Sequence, residues 1–380
     1  VLNASHNDIK VVADGIVPAS LGVLNLSFNS LSELPAALGA APVLQQMYLA
    51  NNKLTDLPHT FSKLPMVDLF LSENEFTTIP KAVMGMSQLA KLSIACCQLK
   101  EVPPEIGNVA SLRFLDLSFN NLKSLPDALA RLTGLNALNL SFNPLPALPP
   151  VIAALTALLE LNLDYTGVTE LPPEIGNLRR LEGLQVEGVP LKEPLATLYA
   201  ANPLLLVQVH NTALISLDLS ALNLTKFPPQ LGRLTGLTAL NLSKNAITTL
   251  PPELGQLSRL QQINLRGNPL TAPYKQLLEV HGERAVVEYC NMDSDKVDLT
   301  NCGLDSLPPE VVMRGPKLAQ LKLANNKLTS LPSRLTSLVG LNTVVLDNNA
   351  LPALPDALMG LPGLSICMAS CNQIRVLPEE

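Results

Sequence analysis

The chain has 380 residues, of which 47% are hydrophobic but only 3% aromatic, and a formal net charge of −6 at pH 7. The negative charge argues against nonspecific binding to nucleic acid, and the sequence has no uninterrupted apolar run of about 18 residues that could span a membrane. A compact globule of this length would usually divide into domains, whereas a stack of repeats grows in one dimension.

One sequence frame recurs along the whole chain. Residues 112–126 read LRFLDLSFNNLKSLP, and the frame L-x-x-L-x-L-x-x-N-x-L-x-x-L-P returns about every 23 residues. A period in this range is typical of stacked-repeat proteins, and this frame is that of the leucine-rich repeat. We call the position of the pivotal Asn the rung. The sixteen rungs are Asn7, Asn29, Asn52, Asn74, Cys97, Asn120, Asn143, Thr166, Val189, Leu222, Asn245, Asn268, Cys302, Asn326, Asn349 and Asn372.

Each part of the frame predicts a local structure. L-x-L is expected to form a short strand whose leucines point inward, since side chains alternate faces along a strand. The amide of the rung Asn both donates and accepts, so it can satisfy backbone groups inside the turn that leaves the strand. The L-P that follows, as in LPPEIGNL at 171–178, predicts a short helical segment because Pro suits a first helical turn. The frame therefore predicts an α/β solenoid with a parallel sheet on one side and short helical, 3₁₀ or extended segments on the other.

Five rungs are not Asn. Cys97 and Cys302 stand in as the repeat pattern allows, and Thr166 is a weaker substitute. The hydrocarbon side chains of Val189 and Leu222 form no hydrogen bonds. These last two rungs flank the first interval that is longer than a repeat.

Two intervals between rungs exceed the repeat length. We call residues 190–213 the first interruption and residues 269–296 the second interruption. We expect one continuous solenoid, divided by the interruptions into three blocks, 1–189, 214–268 and 297–380. The interruptions either bend the solenoid and offer a partner a distinct edge, or are additional convex segments without a role.

The two interruptions resemble each other. Pro194 of the first matches Pro273 of the second, and each Pro is followed by a helix-like pattern. The pattern predicts helices over Leu195–Ala201 and Tyr274–Tyr289, with Gly282 expected to break the second. Each interruption then leads into a fresh strand.

The whole chain resembles the intracellular leucine-rich repeats of the 23-residue L-P type, such as the Ras-associated scaffolds, the plant intracellular Ras-group proteins and the LAP polarity scaffolds. The N-P-L, helix and restart arrangement of the interruptions resembles the leucine-rich repeat-containing protein 40 family. In such proteins the repeats are a non-catalytic binding surface, commonly used on the concave face. The resemblance implies a horseshoe with a parallel sheet inside. It also implies a protein partner, such as a small GTPase, a kinase or phosphatase, or a cytoskeletal protein.

Aromatic residues concentrate on the predicted concave face of the first block. The non-Leu strand positions and the position before the rung are expected to point there, and exposed aromatic residues on one face are a binding signal. The alternative is that the Phe of L-S-F-N packs along the edge against neighbouring repeats. The candidate aromatic residues are Tyr48, Phe70, Phe114, Phe119, Phe142 and Tyr165.

Charge is divided between the blocks on the same predicted face. The first block carries mainly carboxylates, which favours a partner with a basic, partly apolar surface, because complementary fields steer association. The alternative is an ordinary solvated face. The candidate acidic residues are Glu73, Asp116, Glu160 and Asp164, and a secondary basic face is formed by Lys244, Arg266, Lys296 and Lys322.

The sequence lacks the usual patterns of catalytic and cofactor sites. The four His residues have neither metal-ligand nor catalytic-triad spacing, and no Gly-rich phosphate loop is present. We therefore expect no cofactor, no metal and no enzyme activity. Six cysteines occur without the terminal clusters of extracellular repeat proteins, which favours a reducing compartment and a cytoplasmic location, with the nucleus or cilium left open.

The pattern favours a non-catalytic scaffold that binds a partner protein on its concave face. One alternative is the recognition arm of a larger multidomain enzyme, such as a kinase, phosphatase, GTPase or ubiquitin ligase. Another is a structural subunit of a cytoskeletal or ciliary assembly. Both ends of the chain fall inside a repeat, so we expect a longer protein of which this is a stretch.

Overall fold

The structure is a computed structural model that describes residues 1–14 and 19–375. Residues 15–18 of the predicted first block and residues 376–380 of the third block lie outside the described residues. The chain forms two compact units. We call Val1–Asn211 unit 1 and Thr212–Glu380 unit 2.

Unit 1 is built around one parallel sheet in which the strands follow one another in chain order. Each strand after the first has three residues. The nine strands are β1 (Leu2–Asn3), β2 (Val23–Asn25), β3 (Gln46–Tyr48), β4 (Asp68–Phe70), β5 (Lys91–Ser93), β6 (Phe114–Asp116), β7 (Ala137–Asn139), β8 (Glu160–Asn162) and β9 (Gly183–Gln185).

The strands of unit 1 are in register at their central leucines. Leu115 of β6 pairs with Leu138 of β7, which pairs with Leu161 of β8, and all three side chains are buried. Because side chains alternate along a strand, the first and third residues of each strand lie on the opposite face. We call that surface of unit 1 the sheet face. Its residues are half-buried or exposed, except for Asp68 and Ser93, which are buried.

Unit 2 contains two parallel sheets, again in chain order. The first has three strands and the second has four. The strands are β10 (Ser216–Asp218), β11 (Ala239–Asn241) and β12 (Gln262–Asn264), then β13 (Lys296–Asp298), β14 (Gln320–Lys322), β15 (Thr343–Val345) and β16 (Ile366–Met368).

The return path of most repeats is a short 3₁₀ segment that begins after Pro. The third residue of each five-residue segment is apolar and buried, as with Ile106, Leu129 and Ile152. These features confirm the predicted leucine-rich-repeat fold. The segments are Ala36–Ala40, His59–Lys63, Lys81–Gly85, Pro104–Asn108, Asp127–Arg131, Pro150–Ala154 and Pro173–Asn177 in unit 1, and Pro229–Arg233, Pro252–Gln256, Gly315–Lys317 and Ser333–Ser337 in unit 2. Two helical turns, Pro309–Val312 and Asp356–Met359, take the same place.

The rung asparagines hold each turn together and tie it to the preceding repeat. Asn143 Nδ2 donates to the carbonyl oxygens of Leu117, Leu140 and Ser141 at 2.9, 3.0 and 3.2 Å. Asn143 Oδ1 accepts from the backbone N–H of Leu122 at 3.0 Å. All of these groups are buried, so the amide replaces the water that the turn excludes. This confirms the role predicted for the rung.

The rungs that are not Asn form fewer bonds. The thiol of Cys97 approaches two backbone carbonyl oxygens at 3.4 and 3.8 Å. Thr166 Oγ1 donates one hydrogen bond, to the carbonyl oxygen of Leu163 at 2.7 Å. Val189 and Leu222 have only hydrocarbon side chains, so the side-chain ladder is missing at both positions.

The first interruption contains two short helices, α1 (Leu195–Ala201) and α2 (Leu205–Gln208). The first helix has the bounds that its pattern predicts, and the bond preceding Pro194 is cis. The backbone at the end of the interruption packs closely against Gly176 of the preceding 3₁₀ segment. A β-carbon on Gly176 would lie 2.1 Å from the carbonyl oxygen of His210, so only glycine allows this approach.

The second interruption repeats this construction. Its helix α3 spans Tyr274–Cys290 and is kinked at Gly282, where φ is 81° and ψ is 179°, as the sequence predicts. The bond preceding Pro273 is cis. The backbone just after α3 packs closely against Gly255, where a β-carbon would lie 2.3 Å from Cα of Asn291. The two interruptions therefore dock on the equivalent glycine of the repeat before them.

Candidate functional site

The strand residues predicted to bind a partner lie on the sheet face of unit 1. Phe114 and Glu160 are first residues of their strands, and Tyr48, Phe70 and Asp116 are third residues. Glu160 is exposed and the other four are half-buried. Tyr48 and Phe70 stack across β3 and β4, with ring centroids 5.0 Å apart.

The remaining predicted residues lie in the turns that follow the strands. Phe119, Phe142 and Tyr165 each occupy the position before a rung, as does Glu73, and Asp164 precedes Tyr165. The position before the rung has a left-handed backbone at all sixteen rungs, with φ between 50° and 75°. The sequence interpretation placed these side chains on the concave face and missed the backbone conformation.

The left-handed region suits some residues better than others. Glycine adopts it freely, and Asn adopts it more readily than other side chains. In unit 2 this position is often filled by such residues, and four of the seven are Gly267, Asn301, Asn325 and Asn348. The recurrence of Asn and Gly at this position is the sequence signal that could have revealed the conformation.

In unit 1 three successive repeats place aromatic rings at this position. Phe119 stacks on Phe142 with centroids 4.0 Å apart, and Phe142 stacks on Tyr165 at 4.6 Å. The three side chains remain 49%, 40% and 49% exposed. We call Phe119, Phe142 and Tyr165 the aromatic ridge. These rings pack against neighbouring repeats, and they also remain partly exposed to solvent.

Stacking does not offset the backbone conformation of the ridge. Holding a non-glycine residue in the left-handed region costs roughly 1–2 kcal/mol. A stacked aromatic pair contributes about 0.5–1.5 kcal/mol. The ridge has three such residues but only two ring contacts, and 40% to 49% of each side chain stays exposed, so stacking alone does not account for these rings.

A carboxylate that the sequence interpretation did not select lies at one end of the ridge. Glu187 Oε1 accepts a hydrogen bond from the hydroxyl of Tyr165 at 2.9 Å, and this bond raises the pKa of Tyr165. The backbone N–H of Glu187 in turn donates to Asp164 Oδ1 at 2.5 Å. Two acidic side chains are therefore fixed beside the outermost ring.

Asp116 and Glu73 also have hydrogen-bond partners within the fold. Asp116 Oδ1 accepts from the backbone N–H and the hydroxyl of Ser118, at 3.1 and 2.7 Å, which closes a turn at the end of β6. Asn139 closes the next turn in the same way with Ser141. Glu73 accepts from the side chain of Asn51 at 2.7 Å. Asp116 therefore has a structural role in addition to any role in binding.

A shallow groove of about 250 Å³ crosses β6 to β9 on the sheet face. Small residues at the first strand position, Ala137 and Gly183, leave space beside Phe114 and Glu160. Amide side chains line the rest of the groove and can donate and accept hydrogen bonds. They are Asn139, Asn162 and Gln185.

Comparison with known families agrees with this architecture. A family model described as a leucine-rich repeat region matches residues 96–199, and another described as leucine rich repeat matches residues 212–270 and 295–351. Together these matches cover more than half of the chain. The chain is a leucine-rich repeat protein. Leucine-rich repeat domains are generally protein–protein interaction modules without enzyme activity of their own.

Solved structures similar to this leucine-rich repeat protein come from bacteria and plants. They include a leucine-rich repeat protein of Leptospira interrogans, with 27% identity, a TM-score of 0.49, and coverage of 98% of this chain and 90% of that chain. An internalin, InlF, of Listeria monocytogenes has 19% identity, a TM-score of 0.41 and coverage of 94% and 83%. The ectodomain of the Arabidopsis thaliana receptor kinase GASSHO1/SCHENGEN3, in complex with CASPARIAN STRIP INTEGRITY FACTOR 2, has 24% identity, a TM-score of 0.40 and coverage of 93% and 41%. A search of curated protein sequences finds no match.

The predicted basic face of the later leucine-rich repeats is partly paired with carboxylates. Arg266 lies 3.9 Å from Glu283 of α3, and Lys322 lies 3.6 Å from Asp298. Helix α3 contacts both β12 and β13, so it lies between the strand leading to Arg266 and the strand that carries Lys296. The unpaired members, among the described residues, are Lys244 and Lys296, both exposed.

A buried arginine closes the end of α3. Arg314 is only 4% exposed, and its guanidinium carbon lies 5.9 Å from the centroid of the Tyr289 ring. Its Nη1 donates to the carbonyl oxygens of Asn291 and Ser294 at 2.6 and 3.3 Å, and its Nη2 donates to that of Tyr289. The leucine-rich repeat after the interruption therefore satisfies the last carbonyl groups of the helix.

The same region buries three titratable groups. Burial raises the pKa of the Cys290 thiol to about 12 and also raises the pKa of the Tyr274 and Tyr289 phenols. Tyr274 and Tyr289 meet edge to face, with centroids 5.8 Å apart. Such neutral, shielded groups are suited to packing rather than to proton transfer.

Within residues 1–14 and 19–375, no cluster of three or more His, Cys, Asp or Glu side chains is placed to hold a metal ion. Within the same ranges, no helix is both long and apolar enough to cross a membrane.

Proposed function

We propose that this leucine-rich repeat protein is a non-catalytic scaffold that binds a partner protein through the sheet face of unit 1. The observation that carries the proposal is the aromatic ridge, which lies in the turns that follow the sheet-face strands β6, β7 and β8. Its rings are 40% to 49% exposed, and carboxylates lie beside Tyr165. Exposed aromatic side chains that the fold does not bury are characteristic of interaction sites.

Charge supports the choice of unit 1. Residues 114–120, 137–143, 160–166 and 183–189 make up the last four strands of unit 1 and the turns that leave them. They contain four carboxylates and no Lys, Arg or His. An acidic surface attracts a basic partner and speeds its association. The small GTPases, kinases, phosphatases and cytoskeletal proteins suggested by the sequence resemblance remain the candidate partner classes.

Affinity capture with matched variants tests this proposal. The double variant Phe114→Ser/Glu160→Lys changes the groove, and Glu174→Lys makes the same charge change on an exposed residue of a 3₁₀ segment. Captured proteins are quantified by mass spectrometry, and each variant is first checked for unchanged thermal unfolding. We expect a set of proteins retained by the wild type and Glu174→Lys and reduced at least about tenfold by the groove variant, or roughly 1.4 kcal/mol.

An unchanged set of captured proteins on the groove variant would contradict the proposal. A set lost equally on both variants would point to total charge rather than to this face. Binding of one captured protein, purified and titrated against all three chains, then gives the change in Kd directly.

A further inference from the structure

The aromatic ridge is the feature of unit 1 that the fold explains least. Its residues hold a left-handed backbone that Asn or Gly would adopt more easily, and Asn occupies this position in three repeats of unit 2. The side chains of Phe119, Phe142 and Tyr165 stay between 40% and 49% exposed. The turn has this backbone at every rung, so what the fold leaves unexplained is the choice of three successive aromatic side chains there. Costly conformations at such side chains are found where the side chains are presented for function.

The stacking leaves a specific part of each ring accessible. Phe142 is covered on one face by Phe119 and on the other by Tyr165. The ring of Tyr165 also lies against Gly188, within 2.6 Å of where a β-carbon would stand. For Phe142 and Tyr165, solvent therefore reaches mainly the ring edges. Cations bind ring faces, whereas ring edges favour aliphatic groups or the face of another aromatic ring.

Charged groups flank these ring edges. Asp164 and Glu187 are fixed at the Tyr165 end, and Asp116 is the last residue of β6, the strand that leads to Phe119. The last four strands of unit 1 and their turns, which carry the ridge and Glu187, contain no basic residue that could neutralise them. A partner that covers the ridge must therefore bring its own positive charges. Without them the carboxylates would lose their hydration and gain no ion pair in exchange.

We propose that the ridge anchors a partner segment in which an aromatic or aliphatic side chain is flanked by Lys or Arg. The apolar side chain contacts the ring edges, and the basic side chains reach Asp164 and Glu187 on one side and Asp116 on the other. This inference rests on the proposed function and names the chemistry of the partner.

Three labelled peptides of equal length test the inference by fluorescence anisotropy. The first carries Phe and Leu between Lys and Arg residues, the second replaces Phe and Leu by Ser, and the third replaces the basic residues by Glu. We expect the first peptide to bind the wild type at least about tenfold more tightly than either of the others. The triple variant Phe119→Asn/Phe142→Asn/Tyr165→Asn should lose that preference while its thermal unfolding temperature stays equal or rises.

Each other outcome overturns the inference. Equal binding of the first and second peptides would show that charge alone is recognised, and no binding of the first would exclude this partner chemistry. Undiminished binding by the triple variant, or a marked fall in its unfolding temperature, would show that the rings serve another purpose.

Capture separates this inference from the proposed function. If the captured proteins are lost on Phe114→Ser/Glu160→Lys but retained on the triple variant, the sheet face binds partners and the ridge does not anchor them. If both variants retain them, the proposed function fails as well.

Discussion

The ring of Tyr165 lies against Gly188, and a β-carbon on Gly188 would come within 2.6 Å of the ring. Gly188 also has φ of 66°, where a side chain is strained. We therefore expect Gly188→Ala to displace the ring, break the bond from Tyr165 to Glu187, and lower the free energy of unfolding by about 1–2 kcal/mol.

The phenol reports the displacement directly. Since the bond to Glu187 raises the pKa of Tyr165, that pKa should fall toward its ordinary value in Gly188→Ala. Ultraviolet titration, with Tyr165→Phe subtracted to isolate this phenol, measures the change. An unchanged pKa would mean that the ring stays bonded to Glu187.

The rung at Asn143 should be among the most sensitive positions of unit 1. This residue is 2% exposed and donates to three backbone carbonyl groups. Asn143→Ala leaves these groups and one N–H unsatisfied, so we expect a loss of about 3 kcal/mol in urea unfolding. Thr166→Ala, which removes a single bond, should lose about 1 kcal/mol. Similar losses at the two rungs would contradict the bonding role, and exposed Asn177→Ala serves as the control.

The glycines beneath the two interruptions should not tolerate a methyl group. A β-carbon would lie 2.3 Å from backbone atoms of Asn291 at Gly255, and 2.1 Å from the His210 carbonyl oxygen at Gly176. We expect Gly255→Ala and Gly176→Ala each to destabilise the protein by about 1–3 kcal/mol, because the docked backbone must move.

Gly183→Ala is the matched control for these two variants. Its new methyl group would meet its nearest neighbour, Cγ of Glu160, at an ordinary 3.6 Å. Thermal unfolding should therefore leave Gly183→Ala near the wild type. If Gly255→Ala behaves like Gly183→Ala, the interruption is not fixed in this docked position.

Replacement of Arg314 should loosen the end of α3. The buried guanidinium donates to the carbonyl groups of Tyr289, Asn291 and Ser294. Arg314→Met removes all these bonds and should cost about 3 kcal/mol. Arg314→Lys should not rescue stability, because an ammonium group lacks the planar fork of donors.

Hydrogen exchange locates the effect of these Arg314 variants. The amides of Glu283–Cys290 should exchange faster in both variants, while exposed Arg334→Ala should leave them unchanged. Full protection of these amides in Arg314→Lys would show that charge alone holds the helix end.

Stability should fall at alkaline pH through the buried thiol of Cys290. Burial raises its pKa from 9.0 to about 12. Above pH 9 the unfolded chain releases this proton while the folded chain keeps it, so the contribution of the thiol is lost as pH rises from about 9 to 12. Urea unfolding across this range should show a shallower decline for Cys290→Ala than for the wild type. The exposed Cys371→Ala should decline in parallel with the wild type, and parallel curves for both variants would contradict the assignment.

The sequence predicts the strands, the rungs and the helices of the interruptions, because each of them produces a periodic pattern in neighbouring residues. Leu115 and Asn143 repeat at fixed spacing, and the pattern after Pro273 is helical up to the kink at Gly282. The left-handed turn was missed because Phe119 and Phe142 are poor indicators of such a backbone.

Contacts between distant residues could not be predicted in the same way. Glu187 reaches Tyr165 from the next repeat, and Arg314 reaches Tyr289 from beyond a fresh strand. Neither contact follows from the spacing within one repeat. The division into three blocks and the partner-binding role of the candidate residues stay predictions.

The direction of the Asn bonds gives the stack a polarity. Asn143 reaches back to Leu117 and Leu122, so the turn of one repeat is completed by the side chain of the next. Loss of a rung Asn should therefore first destabilise the repeat on its N-terminal side. A missing rung such as Val189 weakens the repeat that precedes it, whose own rung is Thr166, and fraying from such a site should travel toward the N-terminus.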